Sequence, residues 1–94
     1  MSESALDFDR ITFWVQNYGH PEVDEQRAVE NFIICESTEA LPALVAQLHR
    51  VAKGKFREEI MDLVAGKKRK IKYGSYENWA KLMLLWISQV RSHA

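Results

Sequence analysis

The chain has 94 residues, 47% hydrophobic and 28% charged, with acidic and basic side chains balanced at 13 each. These values fit one domain, residues 1–94, near the lower end of the usual size range, and they exclude a disordered or low-complexity polypeptide. No apolar run approaches the roughly 20 residues that span a bilayer, no basic start and apolar core mark a secretory signal, and one cysteine makes no internal disulfide, so a cytoplasmic protein without a membrane partner is expected.

Residues 1–6 read as a frayed terminus. Asp7 is a candidate cap for a first helix, DFDRITFWVQNY, whose Phe8, Ile11, Val15 and Tyr18 share a stripe with Trp14 beside it. Gly19 and Pro21 predict its stop, glycine through the left-handed conformation and proline because it cannot continue a helix. Pro21 then suits the first position of a second helix, PEVDEQRAVENFIIC, with Glu22, Asp24 and Glu25 near the positive end of its dipole. The run Phe32-Ile33-Ile34-Cys35 would also serve as a short buried strand; without an evident strand partner, helix is favoured.

Ser37 and Thr38 are alternative caps for a third helix, with Pro42 in its first turn. Its stripe is Leu41, Leu44, Val45, Leu48, Val51 and Ala52, and Gly54 ends it. A shorter fourth helix, KFREEIMDLVA, is expected to turn Phe56, Ile60, Leu63 and Val64 inward, with Glu58 and Asp62 on its outer side and Gly66 as its stop. The segment KKRKIKYG reads as a loop or a short extended arm. Last comes SYENWAKLMLLWISQVR, capped by Ser75. On it Tyr76, Trp79, Ala80, Leu82, Met83, Trp86, Ile87 and Val90 cover one broad arc, and Leu85 sits in the polar side. The fold class is therefore all-α, a compact bundle of about five short helices with the C-terminal helix as its hydrophobic centre.

Charge is unevenly spread. Residues 1–40 hold nine acidic and two basic side chains, net −7, and residues 41–94 hold four acidic and eleven basic, net +7. The halves either neutralise each other on packing or steer association with a charged partner.

The sharpest candidate site is the basic segment. Lys67, Lys68, Arg69, Lys70 and Lys72, with Tyr73 to stack a base, are a pattern suited to phosphates and single-stranded nucleic acid. Against it stand a neutral domain with a pI of about 6.8 and the acids Glu58, Glu59 and Asp62 nearby. No metal and no cofactor are expected, since His20, His49 and His93 are scattered and the carboxylate pairs at three-residue spacing, Glu22 with Glu25 among them, read as solvated helix faces. Cys35, among apolar neighbours, reads as a small buried hydrophobe and not a nucleophile. The four glycines are isolated, so there is no phosphate loop. Catalysis is not expected.

The apolar surplus favours a different role. Phe13 lies off the first stripe, Leu84 and Leu85 lie off the last arc, and Trp79, Met83, Trp86 and Val90 follow a 4-3-4 spacing like a short coiled-coil seam. The expected function is a small protein–protein interaction module, an adaptor, inhibitor or regulator, self-associating as a homodimer or meeting another protein through these seven residues. Nucleic-acid binding through 67–72 and Tyr73 is the second reading.

Overall fold

A computed structural model describes residues 5–19, 23–36 and 39–92. Six α-helices follow a 3-10 turn at Ala5–Phe8: α1 (Asp9–Asn17), α2 (Glu25–Cys35), α3 (Ala40–Ala52), α4 (Glu58–Val64), α5 (Lys67–Tyr73) and α6 (Tyr76–Ser92). There is no strand among the described residues, so Phe32–Cys35 are helical, as favoured. The 3-10 turn replaces the frayed end expected at residues 5 and 6; residues 1–4 lie outside the described residues, as do Pro21, Ser37 and Thr38.

The helix starts depend on long-range as well as local bonds. The N-terminal residue of α1 follows Phe8, and Asp7 does not cap it. Gln47 of α3 does so instead: its Oε1 accepts from the backbone N–H groups of Arg10 and Ile11 at 3.0 and 3.1 Å, and its Nε2 donates to Asp9. These are amides that a helix start leaves without an intrahelical partner. The cap of α2 is Asp24, whose side chain accepts from Gln26 N at 3.0 Å. The helix therefore begins four residues later than the proline suggested. Ser75 caps α6 as expected, accepting from Asn78 N at 3.1 Å.

The core is one cluster drawn from the 3-10 turn and from every helix but α5, with Phe8, Ile11, Trp14, Phe32, Leu44, Leu48, Met61, Tyr76, Trp79 and Met83 almost wholly buried; α5 adds only the partly buried Tyr73 at its edge. α6 runs through it, packing most against α3 and then against α2 and α5. Its Tyr76, Trp79, Ala80, Met83 and Ile87 form the buried face, which confirms its central place. Burying aromatic and aliphatic side chains at about 1.5–3 kcal/mol each supplies the main driving force.

Two sequence expectations fail at the short helices. α4 buries Met61 and Val64, with Ala65 just after it, and leaves Leu63 83% exposed, while Phe56 precedes the helix and packs edge-on against Tyr76. Of the four residues expected to turn inward, Val64 is buried and Phe56 and Ile60 pack against the core, Phe56 from ahead of the helix, and only Leu63 does not. The supposed arm Lys67–Tyr73 is helix α5, bounded by Gly66 and Gly74 at φ of 94° and 89°. Gly19 has no positive φ; its smallness matters because a Cβ there would overlap the Trp14 ring.

Candidate functional site

The polar chemistry gathers where α2, α5 and α6 meet. Glu25, the first residue of α2, lies on the same stripe as Ala28, Val29 and Phe32 and is 5% exposed. Its Oε1 accepts from Arg69 Nε at 2.6 Å and from Trp79 Nε1 at 3.0 Å, and its Oε2 accepts from the Tyr73 hydroxyl. Arg69, equally buried, also donates through Nη1 to the Ala65 carbonyl at 2.6 Å and through Nη2 to the Gly19 carbonyl. Its guanidinium carbon lies 5.5 Å from the Trp14 ring centroid and 5.8 Å from that of Trp79, within the range of a cation–π contact.

A buried ion pair survives its desolvation only when the remaining lone pairs and protons are also bonded. Here both oxygens of Glu25 are engaged. The carboxylate is therefore a clasp that holds α5 against α2 and α6. Trp14 Nε1, close by and fully buried, has no hydrogen-bond partner among the described residues.

Two further carboxylates meet tyrosines in the same way. The Tyr18 hydroxyl donates to Glu36, and the Tyr76 hydroxyl to Asp62. The hydrogen bond to Glu36, with burial and the adjoining negative charge, pushes Tyr18 up to about 12. Burial first, then the bond to Glu25, raises Tyr73 well above the ordinary tyrosine value; burial and the bond to Asp62 do the same for Tyr76. Glu25, Glu36 and Asp62 are thus not the solvated helix faces their spacing suggested.

The basic segment divides into two sets. Lys67, Lys68 and Lys72 are exposed on the outer face of α5, whereas Arg69 and Tyr73, one turn apart, face inward. Arg69 therefore offers no charge at the surface, and Tyr73 is partly buried, bonded to Glu25, edge-on to Trp86 at 6.5 Å and with the Lys72 ammonium 5.3 Å from its ring centroid. Lys70 pairs with Glu58 across to α4, which raises its pKa. Of the six residues of the nucleic-acid candidate, three lysines are thus exposed, Lys70 and Tyr73 are partly buried and Arg69 is buried. Beside them lies a cavity of about 200 Å³, lined by Glu25, Ala65, Gly66 and Arg69 with Lys67, Lys68 and Lys72.

The interface candidates also divide. Trp79 and Met83 are 0% exposed, because the stripe that aligns them is the one α6 turns into the core; they present no surface to a partner. Phe13 and Leu85 are 38% and 50% exposed. Leu84, Trp86 and Val90 are partly buried, Trp86 by its contact with Tyr73. Sequence reasoning missed Ile34, Leu63 and Ile71, at 76%, 83% and 81% exposed. Cys35 is exposed rather than buried, since the inward stripe of α2 ends at Phe32. Among the described residues no group of three or more His, Cys, Asp or Glu side chains could hold a metal ion, and no helix is long and apolar enough to cross a membrane.

Comparison with known proteins found no matching family model, no similar curated protein and no similar solved structure.

Proposed function

We propose that this chain is a small protein–protein interaction module, an adaptor, inhibitor or regulator that pairs with a second copy of itself in the cytoplasm through apolar helix surface. The observation that carries the reading is the open flank of α6. Leu85 is half exposed there, and Leu82, Trp86 and Val90 lie partly open beside it at spacings of three and four residues. Such a stripe is the usual anchor set of a helix that lies against another helix. Phe13, on α1, adds apolar area.

Charge supports the same partner. The ion pairs Arg57–Glu59 and Lys70–Glu58 stay within the basic half of the sequence, and Glu25–Arg69 joins the halves. The excess charge at the surface is suited to orienting one copy on another and to speeding encounter. The nucleic-acid reading has less support, with Arg69 and Tyr73 both committed inside the fold.

Light scattering coupled to size exclusion tests the proposal. A dimer mass is expected at low salt and at about 1 M salt, where the Debye length falls to about 3 Å. Leu85→Glu should leave the helical circular dichroism unchanged and weaken association about tenfold or more, or ~1.4 kcal/mol. A monomer at both salts sinks the reading.

A further inference from the structure

The cavity at the start of α5 has a charge that the clasp does not consume. Of its charged lining residues, Glu25 is matched by Arg69, and Lys67, Lys68 and Lys72 remain, so the walls carry a net charge of +3. These lysines are exposed at the surface of α5, and their alkyl stems, with Ala65 and Gly66, supply apolar wall. Glu25 does not turn an anion away as an unpaired carboxylate would, since Arg69, Trp79 and Tyr73 all donate to it. Arg69 in turn anchors α5, so the lysines project from a fixed helix and not from a loop. At about 200 Å³ the space is below the roughly 300–1,000 Å³ of pockets for drug-sized ligands. It is large enough for one phosphate group with little attached to it.

We propose that this cavity binds the phosphate group of a small phosphorylated molecule, with Lys67, Lys68 and Lys72 as its cationic contacts. A phosphate monoester carries close to two negative charges at neutral pH, its second pKa being about 6. Three ammonium groups therefore favour it over a singly charged carboxylate. The site shares no residue with the α6 flank, although Tyr73 lies between Lys72 and Trp86, and the proposal does not depend on self-association.

The test is a titration of the full chain followed by amide NMR shifts, with inorganic phosphate, phenyl phosphate, acetate and a single-stranded oligonucleotide as separate probes. It is run at about 0.1 M salt, where charges more than about 10 Å apart are largely screened. The expected result is a saturable shift at Gly66–Arg69 and Lys72 with both phosphates, at least tenfold tighter than with acetate. With phenyl phosphate, a monoester, it should weaken as pH falls through about 6, where the dianion is lost. Lys68→Gln with Lys72→Gln, both on exposed positions, should abolish the shift while leaving the spectrum elsewhere unchanged.

Shifts that never saturate, or that spread equally over Lys53, Lys55 and Lys81, overturn the site. An oligonucleotide that binds more tightly with every added nucleotide while phenyl phosphate does not saturate also overturns it, in favour of a nucleic-acid surface. Because the readout is local to α5, a monomeric protein would leave this result unaffected.

Discussion

At the residue scale, the fold turns on one acidic side chain. Glu25 receives a guanidinium, an indole and a phenol in the interior, so each of those groups is satisfied by the same carboxylate. Removing one member of a buried ion pair leaves the other charged and unpaired, at a cost of about 3–5 kcal/mol. A domain of this size has only about 5–15 kcal/mol of stability in total. Arg69→Leu is therefore expected to lose a large part of it, read as a fall in the urea midpoint. The double change Glu25→Gln with Arg69→Leu should recover part of the loss, since no charge is then stranded. Equal midpoints for the single and double variants would show that the ion pair is not what holds α5 down.

At the element scale, α5 shows why seven residues can form a helix that their composition does not announce. Five of them are basic, and only Ile71 and Tyr73 are hydrophobic. Its boundaries come from glycines, and its position from Arg69 and Tyr73 at a spacing of four, both reaching Glu25. Gly66, with φ 94° and ψ 139°, occupies backbone space nearly reserved for glycine, yet a Cβ there would meet nothing within 4 Å. Gly19 is the opposite case, unstrained in φ but pressed against Trp14. Alanine at either position should cost about 1–3 kcal/mol, by strain at Gly66 and by overpacking at Gly19. Trp14→Phe distinguishes them. It makes room and also removes the unpaired buried indole N–H, so it should offset Gly19→Ala and merely add to Gly66→Ala. Denaturant midpoints of the two double-mutant cycles give the coupling directly.

At the scale of the whole molecule, all three tyrosines donate to carboxylates and are held protonated above their ordinary value of about 10. A group whose folded value is raised contributes stability that is complete below the unfolded value and is lost as pH climbs towards the folded one. The urea midpoint is therefore expected to fall steadily above pH about 10, where the unfolded chain ionises its tyrosines and the folded chain does not. Without urea, the tyrosinate absorbance should appear late as pH rises, and together with loss of helix. A tyrosinate signal that rises at the ordinary value with the helix intact would show these hydroxyls to be free.

By itself the sequence determined the all-α class, the span and capped start of α6 and the inward stripe of α3, and it left Phe32–Cys35 open between helix and strand. Each feature so determined rests on local periodicity or a cap within a few residues, and so can be read along the chain. The tertiary structure decided what lies at a distance in sequence. Gln47 caps a helix 37 residues away, and Glu25 finds Arg69 44 residues away and Trp79 54 away. One signal for this was available, because Glu25 shares a stripe with Ala28, Val29 and Phe32. A charged residue at such a position is read as solvated until its partner is known, since burial costs an unpaired carboxylate several kcal/mol or more. For the same reason Arg69 and Tyr73 looked like a nucleic-acid surface and Trp79 and Met83 like a seam. Composition and spacing identify what a side chain is able to do, whereas only the packing of α2, α5 and α6 decides which of those contacts it has already made.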